Sequence, residues 1–167
     1  MQGQNHEPGP SGVGTVSDAR LSSVLHTAVD GIIVIDETGT ILIYNKACER
    51  MFGYTAEEAV GRNVSMLMAP EHAQAHDGYI DHYKETGQKR IIGIGREVRA
   101  RHRDGTLFFI DLSVGEAITP EGRQFVGILR DLTARKDTER RLNELQADLI
   151  RLARVSSLDE MGSALAH

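Results

Sequence analysis

Three patterns in this sequence predict an α+β domain, a five-stranded antiparallel sheet with helices on one face, running on into a C-terminal coiled-coil helix. Two β-rich runs, Gly31-Ile32-Ile33-Val34-Ile35-Asp36 and Thr40-Ile41-Leu42-Ile43-Tyr44-Asn45, flank the hairpin turn Glu37-Thr38-Gly39. After a helical stretch come three more strands, broken at the turns Asp104-Gly105 and Thr119-Pro120-Glu121-Gly122. From Thr133 the chain is highly charged, with Leu142, Leu145, Leu149 and Leu152 at the alternating spacing of a coiled-coil seam. Strands joined by tight turns, with the helices inserted between two groups of them, make an antiparallel sheet rather than a parallel one.

Residues 1–18 are rich in Gly, Ser, Asn and Gln, carry Pro8 and Pro10, and read as a disordered lead-in to a domain at 19–134. Leu21, Val24, Leu25 and Val29 sit at helical spacing within Arg20 to Val29. After the first hairpin, Asn45 is placed to N-cap a helix over Lys46 to Met51, and short helical stretches follow at Ala56 to Val60 and Val64 to Met68. A longer helix is predicted from Pro70 to Lys84, which puts His76, Tyr79, Ile80 and Tyr83 on one face. Ile91-Ile92-Gly93-Ile94-Gly95-Arg96 then reads as a glycine-hinged loop entering the alternating strand Arg96 to Arg101.

Strand parity sorts the side chains. Phe108, Ile110, Leu112 and Val114 make an apolar row, while Asp111, Ser113 and Gly115 point away. In the preceding strand Arg96, Val98 and Ala100 form the more apolar set, against an outer charged row of Glu97, Arg99 and Arg101. Both parities of Phe125-Val126-Gly127-Ile128-Leu129 are apolar, so the pattern does not choose between them. Residues 135–167 read as a signalling helix, and Val155, Leu158, Met161 and Leu165 continue its apolar stripe with a shifted period.

Composition narrows the function. A 167-residue chain with 40% hydrophobic and 26% charged residues supports one buried core and an appendage. Its formal charge of −5 argues against a nucleic-acid surface, which needs basic residues to neutralise phosphates. No apolar run reaches the length needed to span a bilayer, and no signal peptide is present, so the segment is expected in the cytoplasm, with room for an upstream membrane anchor in a longer parent. The single cysteine, Cys48, rules out an internal disulfide and reads as a packing residue.

Among seven histidines, His72 and His76 stand four apart on the predicted helix, yet no neighbouring pattern supplies further zinc ligands. His102, set among arginines, reads as a strand-end surface residue. Gly93-Ile94-Gly95 lacks the third glycine and the strand-to-helix context of a dinucleotide loop. A histidine on a helix beside a hinged loop and an aliphatic sheet is a plausible mount for a flat metallocofactor.

The strings Ala75-His76-Asp77-Gly78-Tyr79-Ile80, Ile91-Ile92-Gly93-Ile94-Gly95-Arg96, Asp104-Gly105 and Leu112-Ser113-Val114-Gly115-Glu116 resemble the haem-binding PAS domain of oxygen-sensing histidine kinases of the FixL family. The resemblance runs from about Leu21 to His167. It implies haem b on a proximal His76, which leaves the iron's sixth position to oxygen or other diatomic gases. It implies a pocket of Tyr79, Tyr83, Ile91, Val98, Ile110, Leu112, Val114, Phe125 and Gly127, with His82, Arg90 and Arg96 as partners of the propionates. Arg96 would also serve as a switching donor, because a guanidinium offers several N–H groups in a rigid fork.

The segment Ser156 to His167 resembles the start of a kinase dimerisation helix, with His167 at the phosphoacceptor. The resemblance therefore implies a homodimeric, ATP-dependent histidine kinase in full-length form, in which oxygen lowers autophosphorylation and phosphotransfer to a response regulator of nitrogen-fixation or microaerobic genes. The fragment alone carries no ATP-binding domain. The alternative is a cofactor-free PAS dimerisation and relay module. A flavin sensor ranks third, since Val64 stands where the similar segment of flavin-binding PAS photoreceptors carries the adduct-forming cysteine.

Overall fold

The structure, a computed structural model, describes residues 15–73 and 95–166, with the side chains of 164–166 excepted. The first helix, α1 (Val16–Thr27), starts inside the stretch expected to be lead-in. The cause is a reciprocal cap, in which the Asp18 N–H donates to Thr15 Oγ1 at 3.2 Å and the Thr15 N–H donates to Asp18 Oδ2 at 2.9 Å. Strands β1 (Gly31–Asp36) and β2 (Ile41–Tyr44) form the expected hairpin. Asp36 Oδ1 accepts from the N–H groups of Thr38 and Thr40, and Gly39 takes the left-handed conformation at φ 82°.

Helix α2 (Lys46–Phe52) is capped by Asn45, as predicted, and closes on Gly53 at φ 83°. It is followed by α3 (Ala56–Ala59) and by a 3-10 turn at Val64–Leu67, the two short helical stretches the sequence pattern suggests. Asn63 caps that turn by accepting from the Ser65 N–H. Residues 70–73 are helical, and the remainder of the predicted Pro70 to Lys84 helix lies outside the described residues. Strands β3 (Arg96–Arg101), β4 (Leu107–Thr119) and β5 (Gly122–Asp131) complete the sheet, and α4 (Thr133–Ala166) leaves it.

The sheet order is β2-β1-β5-β4-β3, with every neighbouring pair antiparallel. Helices α2 and α3 and the 3-10 turn cover one face, burying Ile33, Ile35, Ile41 and Tyr44 against Cys48, Phe52, Ala59, Val64 and Leu67. Gly31 makes the close packing of α2 possible, because a Cβ there would stand 2.9 Å from Cys48 Sγ. Cys48 is fully buried, and burial pushes its thiol up to about 12, so it packs rather than reacts.

Asn45 is the buried polar centre of this layer. Its Oδ1 accepts from the N–H groups of Ile32 and Cys48, while its Nδ2 donates to the carbonyls of Leu25 and Asp30. One side chain thereby ties the end of α1, the start of β1 and the start of α2 together. The capping role was legible in the sequence, whereas the three other bonds depend on segments brought together only by folding.

Candidate functional site

Cross-strand register turns the predicted pocket residues into two rows on the helix-covered face. Arg96 faces Leu112, which faces Leu129. One row further along, Val114 faces Gly127, which faces Ile33. Val98 and Ile110 pair beside the first row, and Phe125 and Ile35 pair beside the second. Ile110, Phe125 and Leu129 are buried in the core, with Val98, Leu112 and Val114 partly buried against it.

The parity left open in the last strand is settled here. Phe125 and Leu129 are buried, Ile128 on the opposite parity is exposed, and Gly127 accordingly lies on the inner side. A Cβ on Gly127 would meet Leu112 Cδ1 at 3.6 Å, the Ile33 carbonyl oxygen at 3.7 Å and Leu129 Cδ1 at 3.8 Å, all ordinary contacts. The inner surface between β3 and β1 is thus an aliphatic platform carrying a guanidinium-bearing residue at one end, Arg96, which is exposed. Such a surface suits a flat apolar ligand with an anionic group at its rim.

Of the predicted site residues, the structure brings Arg96, Val98, Ile110, Leu112, Val114, Phe125 and Gly127 onto this one surface. His76, Tyr79, His82, Tyr83, Arg90, Ile91 and His167 lie outside the described residues. Among the described residues no cluster of three His, Cys, Asp or Glu side chains is arranged to hold a metal ion.

Two other expectations are refined. Arg101, assigned to the outer charged row, reaches around the sheet edge to donate to the Met66 carbonyl at 3.2 Å and 3.4 Å. His102 is not simply a surface residue, since its ring packs where a Cβ on Gly53 would stand 2.8 Å away and its Nδ1 accepts from the Asp104 N–H at 3.2 Å.

Sequence reasoning missed the ties that hold the rim of the platform. The Ala69 N–H donates to the Arg99 carbonyl, and Met68 bridges to Ala100, so the outer edge of β3 is paired rather than bare. Arg99 also forms an ion pair with Glu71. On the far side Lys136, in the first turns of α4, pairs with Glu97 at 2.6 Å and stands 4.4 Å from the centre of the Phe109 ring. No local signal marks these pairs, because each joins residues 27 or more positions apart.

Comparison with known proteins follows the same lines. A family model described as PAS fold matches residues 19–132. Sensor protein FixL of Bradyrhizobium diazoefficiens is 45% identical over 150 residues, which are 90% of this chain and 30% of that protein. The cell-division control histidine kinase PdhS of Brucella abortus is 34% identical over 128 residues, 77% of this chain and 12% of that protein. The chain therefore spans less than a third of the length of these curated relatives. Among solved structures, the PAS domain of a Colwellia psychrerythraea protein superposes with a TM-score of 0.59 at 26% identity, covering 71% of this chain and 98% of that one. A PAS domain of an HTR-like protein from Haloarcula marismortui gives 0.57 at 21% identity, covering 69% and 91%.

Proposed function

The chain belongs to the PAS family, and from that premise we propose that it is the haem-binding, oxygen-responsive sensor segment of a homodimeric histidine kinase. The single observation that carries the reading is the aliphatic platform of Leu112, Val114 and Gly127 with Arg96 at its end, in a chain 45% identical to a FixL sensor protein. The residues fit haem. Inward side chains are hydrocarbon, Gly127 carries no Cβ to stand against a ring, and the guanidinium of Arg96 at the platform's end could donate to a propionate.

In this reading His76 would supply the imidazole ligand, Tyr79, Tyr83 and Ile91 would be further pocket residues, and His82, Arg90 and Arg96 would be the candidate donors to the propionates. Haem, when bound, supplies an iron with an open position for a diatomic gas. Leu112 and Val114 exclude water from that side, and Arg96 can offer its N–H donors either to a propionate or toward the gas. Asp131 starts the way out: its Oδ1 accepts from the N–H and Oγ1 of Thr133 at 2.8 and 2.6 Å, which caps α4 directly after the last strand.

The seam residues Leu142, Leu145, Leu149 and Leu152 are all exposed within the single chain, as a dimerising helix pair requires. His167 is then the phosphoacceptor of the full-length, ATP-dependent kinase, whose phosphate passes to a response regulator. A second reading, a cofactor-free relay, is favoured by one observation: the side chains of Leu112 and Leu129 already reach within 3.6 Å and 3.8 Å of where a Cβ on Gly127 would stand, so hydrocarbon lies over the glycine.

The visible spectrum of the purified chain, before and after titration with haem, tests both. We expect one haem per chain with a five-coordinate ferrous spectrum, severely weakened in His76→Ala. An unchanged spectrum in that variant removes His76 from the reading, and a chain that takes up no haem at all adopts the relay in its place.

A further inference from the structure

We propose that β3 mechanically couples residues 66–73 to the direction of α4, with Glu97 and Lys136 as the positioning residues of the output helix. The inference rests on the sensor reading above and names the route by which that sensor moves its helix.

Strand β3 is held from both sides. Along its outer edge, Arg101 donates to the Met66 carbonyl, the Ala69 N–H donates to the Arg99 carbonyl, and the Arg99 guanidinium pairs with Glu71. Residues 66–71 lead directly into the helical turn at 70–73. Two residues from Arg99, with the same parity, Glu97 pairs with Lys136 of α4 at 2.6 Å. A shift of residues 66–73 that draws Arg99 therefore draws Glu97, because a strand moves as a hydrogen-bonded unit.

Lys136 is well placed to receive that motion. Leu132, buried, donates its N–H to the Phe109 carbonyl at 2.9 Å, and the Lys136 N–H bonds back to the Leu132 carbonyl. The Lys136 ammonium covers the Phe109 ring. Glu97 and Asp111 are direct cross-strand partners, so two carboxylates share one spot on the outer face and the Lys136 charge relieves their repulsion. Beyond residue 137, residues 138–163 of α4 are exposed throughout, which leaves the helix direction to be set at its first turns. At 1.5 Å per residue, residue 166 lies about 45 Å further along, so a tilt of about 5° at Lys136 carries the far end roughly 4 Å.

Coupling of this kind is reciprocal, and amide hydrogen exchange on the 167-residue chain tests it without any ligand. Lys136→Met and Glu97→Gln should each speed exchange about threefold to fivefold in residues 137–144 and also, at a distance, in 66–71. Arg99→Met should do the same in both places. The charge exchange Glu97→Lys with Lys136→Glu should restore protection at 137–144. All these side chains are at least partly exposed, so the variants are expected to fold, which circular dichroism checks. Effects confined to each variant's own contact, or an exchange variant no better protected than the single ones, overturn the proposal. A chain that binds no haem but shows the reciprocal change keeps the coupling and loses the gas reading. A haem-loaded chain with only local effects does the reverse.

Discussion

Replacing Asn45 by alanine removes four hydrogen bonds from a residue only 5% exposed, and the structure allows the cost to be assembled. Loss of the N-cap to the Cys48 N–H is worth about 1 kcal/mol. The Ile32 N–H and the carbonyls of Leu25 and Asp30 lose a partner, and one such group left unsatisfied in partial burial adds about 1 to 3 kcal/mol. The sum is about 3 kcal/mol, which lowers Tm by on the order of 12 °C in a domain of this size. Urea unfolding followed by circular dichroism measures it. Asn45→Ser, which keeps an acceptor for the Cys48 N–H, should recover about 1 kcal/mol of the loss. Because two of the bonds hold the end of α1 and the start of β1, amide exchange near Leu25 and Ile32 should rise in both variants. If Asn45→Ala stays within about 0.5 kcal/mol of the parent, the side chain is not the centre that joins these three segments.

Arg96→Ala should lower affinity for oxygen more than for carbon monoxide, since a charged donor favours the more polar ligand; equal losses in gas titration would remove that role. Leu145→Asp with Leu149→Asp should convert a dimer to a monomer in sedimentation, because the seam leucines are exposed in the single chain and a charge in a seam opposes pairing. The Arg130 guanidinium, bonding Asp30 at 3.1 and 2.9 Å, holds that carboxyl below its usual range. A depressed folded pKa means stability that is present above the unfolded value near 3.8 and lost as pH falls through the folded one. Asp30→Asn should therefore be less stable than the parent at pH 7, with the gap closing on acidification below about pH 4; a constant gap in urea titrations would refute the pairing.

Strand identity, the hairpin at Glu37-Thr38-Gly39, the Asn45 cap and the inner parity of β4 follow from the sequence alone, because each rests on neighbours two to four positions apart. Alternation in Phe108, Ile110, Leu112 and Val114 needs no partner to be read. The last strand shows the boundary of that logic. Both its faces are apolar, and only the pairing of Val114 with Gly127 and of Gly127 with Ile33 turns Phe125 and Leu129 inward. The 3-10 geometry of Val64–Leu67 was likewise not legible, since helical spacing over four residues does not distinguish a tight turn from an α-helical one. Long-range ion pairs were the least legible of all. Lys136 reads as one more charge on a polar helix, and Glu97 as one more on a solvated strand, until folding sets them 2.6 Å apart. Local pattern records which face a side chain takes within its own element, whereas register and the meeting of distant elements depend on the packing of the whole chain.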